Sequence, residues 1–343
     1  MRAARMHRTN ESLHLDNIPA PSLEPNDVLI RIRASGICHS DLNYRNGIAP
    51  IGRLPITLGH EIAGIVEEKG DGATGIDIND TVVVHYVLGC GKCGFCRSGI
   101  ETYCAEYQMI GKDVDGGFAE YLKVPATNVI TIPESLSFDQ AAIMGCAVST
   151  GLHALHRGRA TPQSSLLVYG VGGVGAHAIH LASAVFKMHK IIAVDVADAK
   201  LELAKKLGAT NLVNPSRENL AEFISSVTDG FGPDLIIDFV GRRNTIQNSI
   251  DFAAKGARIL IVGISSDNLQ LSPYSTLIGK EIEIMGVNDH LKSELEELIQ
   301  YASSGTIDLS RSVTHRVSLD EVNRGMEILE RSIGNPLRVV VEQ

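Results

Sequence analysis

Hydrophobic and polar positions change rhythm twice along the chain. Residues 1–35 alternate apolar and polar side chains, with turn signals at Pro19, Pro21 and Pro25. Val28–Arg33 keeps a period of two, which predicts a strand with one buried face. Val82–Val84 and Gly116–Pro125 read as further strands, and Pro133–Ala142 leads into a junction helix around Cys146. From Ser165 the pattern becomes short apolar runs separated by helical stretches. Strands are predicted at 166–169, 191–195, 211–213, 234–239, 259–263 and 282–286, and helices at 176–186, 198–207 and 218–228. Such alternation predicts a parallel sheet wrapped by helices. Two helices, near 292–303 and 319–332, and a last strand from Arg338 to Val341 complete the chain. No internal repeat or low-complexity segment interrupts it.

The apolar run Leu166–Tyr169 ends in Gly170-Val171-Gly172-Gly173-Val174-Gly175, a G-x-G-x-x-G pattern between a predicted strand and a predicted helix. The first glycine lets the chain turn off the strand, the second lets backbone approach a pyrophosphate, and the third lets helix and strand pack closely. The helix start then offers unpaired N–H groups to phosphate. The next strand ends at Asp195, about 20 residues past the last glycine, where a carboxylate accepts the ribose hydroxyls and repels a 2′-phosphate. The pattern therefore predicts NAD rather than NADP. A glycine loop that binds nothing, with Asp195 capping the next helix, is the alternative.

Composition narrows the class. The chain has 343 residues, enough for two domains, with 44% hydrophobic and 21% charged residues. A net charge of -9 argues against nucleic acid as a partner. The apolar runs fall far short of a membrane span, and no apolar segment follows the basic start Met1–Arg5, so the expected compartment is the cytoplasm.

The six cysteines carry the remaining chemistry. Cys90, Cys93, Cys96 and Cys104 follow C-x2-C-x2-C-x7-C, a density that suits a closed, tetrahedral structural zinc. A redox disulfide pair or an iron–sulfur cluster is the alternative, but the spacing lacks the bacterial cluster pattern. Cys38 lies in Gly36-Ile37-Cys38-His39-Ser40-Asp41, His60 in Leu58-Gly59-His60-Glu61, and Cys146 in the junction helix. Two thiolates and an imidazole form the ligand set of a catalytic zinc with an open position. Glu61 is a candidate fourth ligand. The alternative makes Cys38 and Cys146 small core residues and His60 a satisfied core histidine.

Taken together, G-x-C-H-S-D at 36–41, G-H-E at 59–61, the four cysteines at 90–104, G-G-F-A-E-Y at 116–121, Cys146, the glycine loop and a late arginine occur in one order over essentially the whole chain. In these features the sequence resembles the zinc-containing alcohol dehydrogenases of the medium-chain dehydrogenase/reductase family. The resemblance implies a Rossmann domain (151–287) inserted into a β-rich, GroES-like catalytic domain formed by 1–150 and 288–343. It implies two zinc ions per chain and NAD, and hydride transfer between an alcohol and NAD to give an aldehyde or ketone, with reduction of an aldehyde or semialdehyde as the reverse direction. By position, Cys38, His60 and Cys146 would bind the catalytic zinc, with Glu61 as an occasional ligand. Ser40 would accept the alcohol proton and Asp41 would orient His60. His39 and Arg338 would contact the pyrophosphate, Thr150 and Val174 the nicotinamide, and Asp195 and Lys200 the adenosine ribose, over the loop glycines 170, 172, 173 and 175. Tyr86 would line the substrate pocket. Homodimers or homotetramers would form through the sheet edge at 282–287.

One departure stands out. Many members place a histidine at the end of the proton relay where this chain has Asn43. His39, His14, water or a shorter relay would then have to release the proton. Alternative activities within the family are a polyol or amino-alcohol dehydrogenase, disfavoured by Cys146 where polyol enzymes use Glu, and an enoyl reductase, disfavoured because the metal ligands are kept. An NAD-binding redox sensor is the non-enzymatic alternative. Arg53, if it faced substrate, would suit a carboxylate. A solvated surface charge is the simpler assignment.

Overall fold

The computed structural model describes residues 1–269 and 274–343 and divides into two compact units. One joins Met1–Ser149 to Asp289–Gln343, and the other is Thr150–Asn288.

The first unit is built on a sheet in which Val129–Thr131, Thr81–Val84, Glu61–Lys69, Asp27–Ile37, Arg338–Glu342 and Val313–Ser318 lie side by side in that order. Tyr121–Pro125 pairs with the other end of Asp27–Ile37. The long strand shows why alternation predicts it. Val28, Ile30 and Ile32 are sealed in one core, with Ile62, Val66, Val82 and Val84 from its neighbours, while Arg31 and Arg33 are half-buried on the other face. On the far side, Ile37, Leu42, Phe118 and Val339 close a second core under the helix Val322–Glu330. The C-terminal strand pairs antiparallel with Asp27–Ile37, setting Val339 opposite Ile37. In turn Gly36 lies opposite Glu61.

Some elements differ from the pattern-based expectation. The strand predicted over Gly116–Pro125 begins only at Tyr121. Before it, the N–H groups of Gly117 and Phe118 donate to the carbonyls of Gly59 and Leu58, outside regular pairing. The junction helix is three pieces: Phe138–Ile143, a π-helical turn Met144–Val148 that carries Cys146, and Ser149–Arg157. The helix predicted near 319–332 is a 3-10 turn, Leu319–Glu321, followed by Val322–Glu330.

In the second unit Asn211–Val213, Lys190–Val194, Ser165–Tyr169, Leu235–Asp238, Arg258–Ile261 and Glu283–Gly286 form one wholly parallel sheet in that spatial order. Counted along the chain this is 3-2-1-4-5-6, the Rossmann order, with its switch point between Ser165–Tyr169 and Leu235–Asp238. The first helix is Gly173–Ala184 rather than 176–186. Its glycines hide the first turn from a propensity argument, and Lys187, at φ +53°, turns the chain out at the other end. Glu283–Gly286 is an edge strand of this sheet.

Candidate metal centres and nucleotide loop

Cys38 is the residue before the helix His39–Arg45, and the first turn of that helix organises the surrounding loops. Asp41 accepts the Cys38 N–H at 2.8 Å and the Gly59 N–H at 3.2 Å. One sealed carboxylate thus ties the Cys38 turn to the Leu58–Gly59 turn, and its Oδ1 lies 3.5 Å from His60 Nδ1. Glu61 opens the next strand, and Cys146 enters on the π-helical turn, a backbone form concentrated at functional sites. Ligand atoms of Cys38, His60, Glu61 and Cys146 all fall within 4.8 Å of one another, and all four residues are buried.

A close approach explains Gly36. A Cβ there would overlap the Glu61 carboxylate. The register that puts Gly36 opposite Glu61 also brings Arg338 in from the C-terminal strand, and its guanidinium donates to Glu61 Oε2. Arg338 is 2% exposed. In this arrangement its guanidinium meets a carboxylate inside the unit, where the resemblance implied contact with a pyrophosphate.

The electrostatics are those of a cation site. Both ring nitrogens of His60 and Glu61 Oε1 are buried and make no hydrogen bond among the described residues. Orphaned groups of this kind are uncommon in a core and demand a partner. Through its contact with Cys146, together with His60, Cys38 is held well below the usual thiol range, whereas Cys146 is pushed well above it by Cys38 and by burial. Burial pushes the Glu61 carboxyl up to about 7 against the pull of Arg338. Burial disfavours a charged His60, yet Asp41 and Cys38 outweigh it and raise its pKa. These protons stand where a divalent ion would be held, since binding to thiolate and neutral imidazole displaces them. Two soft sulfurs and one imidazole nitrogen fit zinc.

The second group is Cys90, Cys93, Cys96 and Cys104, also within 4.8 Å of one another, and none is in a disulfide. Zinc–sulfur bonds of about 2.3 Å in a tetrahedron give sulfur–sulfur edges of about 3.8 Å. Cys90 and Cys96 sulfurs are 4.0 Å apart, and those of Cys93 and Cys96 3.5 Å. The N–H groups of Cys96 and Cys90 point at the sulfurs of Cys93 and Cys104, at 3.4 and 3.3 Å, and favour thiolates there. Backbone N–H groups of Lys92 and Cys93 bring the Cys90 thiol down to about 7, and burial pushes Cys96 up to about 12. With four sulfurs and no vacant place, this group fits a zinc that holds a loop.

The glycine loop lies at the switch point of the Rossmann sheet. Gly170 has φ +85°, which an L side chain rarely adopts, and a Cβ on Gly175 would overlap the Gly170 carbonyl. At Gly172 a Cβ would meet nothing within 4 Å, so the loop presents bare backbone to open space. Asp195 accepts the Val171 N–H at 2.8 Å and the Ala197 N–H at 3.0 Å. It therefore fixes the loop to the end of the second strand, and a carboxylate has acceptor positions beyond these two.

The remaining predicted residues are spread around these centres. Ser40 is half-buried, its Oγ 3.8 Å from Cys38 Sγ, while His39 is exposed. Thr150 is buried, and Val174 and Lys200 are half-buried. Arg53 pairs with Asp115 at 2.6 Å and is half-exposed, as the surface-charge assignment expects. Sequence reasoning missed Asp238, sealed at the end of the fourth Rossmann strand, where it accepts the Val240 and Gly241 N–H groups at 2.8 and 2.9 Å. It named Tyr86 but missed the polar layer that Tyr86 joins beside His60. The Tyr86 ring stands edge-on to the His60 ring at 5.1 Å, and its hydroxyl donates to Asp289. His85 Nδ1 is 3.1 Å from His290 Nε2, and His85 Nε2 is 3.1 Å from Glu101. These partners are up to 205 positions apart, and no local pattern pairs them.

Comparison with known proteins adds three kinds of match. Residues 24–134 match the alcohol dehydrogenase GroES-like domain, and 173–304 match the zinc-binding dehydrogenase domain. An NAD-dependent alcohol dehydrogenase of Sulfurisphaera tokodaii is 34% identical, over 99% of this chain and all of that one. A sorbitol dehydrogenase of Bacillus subtilis is 33% identical, over 99% of this chain and 97% of its own. The structure of an alcohol dehydrogenase from Thermus sp. ATN1 superposes with a TM-score of 0.92 at 30% identity, covering 100% and 99% of the two chains.

Proposed function

The chain belongs to the zinc-containing alcohol dehydrogenases of the medium-chain dehydrogenase/reductase family, and from that membership we propose that it interconverts an alcohol and an aldehyde or ketone with NAD. The net reaction is R2CHOH + NAD+ → R2C=O + NADH + H+. One observation carries the proposal: a sealed Cys38–His60–Cys146 group, with Glu61 beside it, in which neither buried ring nitrogen of His60 makes a hydrogen bond.

When bound there, zinc supplies Lewis acidity toward the alcohol or carbonyl oxygen, and NAD supplies the two-electron acceptor. The protein supplies the rest. Cys38, His60 and Cys146 would hold the metal, and Asp41, fixed by the Cys38 and Gly59 N–H groups, would keep the imidazole oriented. Ser40, half-buried beside Cys38 Sγ, would receive the alcohol proton at its Oγ. Asn43 cannot carry that proton onward, so solvent or His39, exposed on the same turn, would take it. In the Rossmann unit the 170–175 backbone would receive the pyrophosphate, Thr150 and Val174 the nicotinamide, and Asp195 and Lys200 the ribose. The acid at 195 supports NAD over NADP. Cys90, Cys93, Cys96 and Cys104 would hold a second, structural zinc. The free edge of Glu283–Gly286 would join subunits into a homodimer or homotetramer.

Steady-state oxidation of small primary and secondary alcohols, followed as NADH appearance, tests the proposal. Turnover with NAD and at least tenfold lower kcat/KM with NADP, roughly the effect of one charged contact, is expected. No turnover of any alcohol, or of any aldehyde in reverse, would refute it.

A further inference from the structure

On the face of the first unit's sheet turned away from the Val28–Ile32 core, Arg33 lacks the partner that its neighbouring arginines have. It lies on the Asp27–Ile37 strand, half-buried, with its guanidinium over the Phe138 ring at 5.7 Å. Arg2 pairs with Glu120 at 2.9 Å and with Asp320 at 3.1 Å, and Arg31 pairs with Glu67 at 2.9 Å. Arg316 takes Glu342 at 2.9 Å, and Asp139 as well. Arg33 makes no ion pair and no side-chain hydrogen bond among the described residues, and its Nε is buried.

Arg2, Arg31 and Arg33 line one cavity of about 590 Å³, formed entirely by residues of the first unit. That volume lies within the range of small-molecule sites, roughly 300–1,000 Å³. The acids on the lining, Glu120, Asp320 and Glu342, are those that Arg2 and Arg316 already hold.

Stability alone does not explain an arginine at this position. A guanidinium stays charged at any pH a folded protein meets, so Arg33 cannot shed its charge as a buried lysine does. A buried N–H without an acceptor is costly, and such orphans are uncommon. An apolar side chain over Phe138 would avoid both penalties. The Phe138 ring covers one face of the guanidinium plane, which leaves the N–H edge available. That edge is the part of arginine that grips two oxygens of a carboxylate or phosphate side by side. Because the lining carries acids as well as arginines, recognition rests on contact with this fork rather than on a positive field.

We propose that the cavity is a binding site for a small oxyanion, a carboxylate or a phosphate, held by the free N–H edge of Arg33. The site is distinct from both candidate metal centres and from the glycine loop, none of whose residues line it. It stands independently of which alcohol the protein oxidises.

The zinc-loaded protein, saturated with NADH so that the nucleotide site is filled, is titrated calorimetrically with inorganic phosphate and separately with acetate. Sodium chloride keeps ionic strength constant. One saturable site is expected, and the tighter anion identifies the oxyanion. Arg33→Gln should weaken binding by about tenfold or more, the share of one charge-assisted hydrogen bond. Arg33→Lys keeps the charge without the fork and should fall between wild type and Arg33→Gln. If Arg33→Gln fails to fold, wild type answers alone. Phenylglyoxal labelling of arginines, mapped by mass spectrometry, should be lost at Arg33 when the anion saturates and unchanged at the exposed Arg8. No saturable binding of either anion, binding as tight in Arg33→Gln as in wild type, or Arg33 labelling that the anion does not slow would overturn the inference.

Discussion

Arg338 and Glu61, 277 positions apart, form a buried ion pair directly behind the candidate catalytic metal site. Their meeting depends on two strand registers, Val339 opposite Ile37 and Gly36 opposite Glu61, and on the missing side chain of Gly36. Above about pH 7, where Glu61 is charged, removing Arg338 leaves that charge uncompensated in the core. Arg338→Leu is expected to lower the stability of the zinc-free protein by about 3–5 kcal/mol in urea titration. The double variant with Glu61→Gln should recover part of that loss. A double variant no better than the single one would show that the pair is not coupled.

Asp41 is expected to act on zinc through His60 rather than by ligation. Asp41→Asn should weaken zinc at the Cys38–His60–Cys146 site by about 10–100-fold in chelator competition, the usual effect of losing a carboxylate behind a metal-bound histidine. Zinc at the four-cysteine group should be held as before. Equal retention at both sites would remove Asp41 from the account.

The nucleotide loop separates two glycine roles. Gly172 faces open space, so Gly172→Ala should leave the melting temperature nearly unchanged while weakening NADH by about tenfold or more, because the new methyl displaces the pyrophosphate from the backbone. Gly175 touches the Gly170 carbonyl, so Gly175→Ala should lower both stability and affinity. Fluorescence titration with NADH and thermal melting distinguish the two. Normal NADH affinity in Gly172→Ala would place the nucleotide elsewhere.

How much of this was legible follows from how local each signal is. The Rossmann strands, the glycine loop and the four-cysteine spacing lie in short windows, and the parallel sheet and the Cys90–Cys104 cluster appear where those windows put them. Cys38, His60 and Cys146 each announced themselves by neighbours, but their approach to within 4.8 Å is a property of the sheet. The pairing of Arg338 with Glu61 was not legible, because no local pattern carries the strand register that brings them together. The π-helical turn at Cys146 was invisible because propensity does not distinguish it from an α-helical one. Tyr86, Tyr107 and Asp289 meet across more than half the chain.

Glu101 gives a pH signature. It accepts the Lys292 N–H at 2.6 Å and faces His85 Nε2 at 3.1 Å. Burial opposes its charge, but His85 and that N–H outweigh burial and hold its pKa below the usual glutamate value. A carboxylate with a depressed folded pKa contributes stability above its unfolded value, about 4.3, and loses that contribution as pH falls through the folded one. Glu101→Gln should therefore cost about 1–2 kcal/mol at neutral pH, and its gap from wild type should close in acid below about pH 4.5. A gap that persists unchanged in acid would assign the loss to packing.

Zinc per chain, measured by elemental analysis on wild type and on Cys146→Ser, tests the central claim most directly. Two separate ligand groups predict two zinc ions in wild type and one in Cys146→Ser, with NAD-linked alcohol oxidation lost and the fold retained. The same zinc content in both proteins, or alcohol oxidation that survives the substitution, would contradict the assignment of Cys38, His60 and Cys146 as the catalytic metal site.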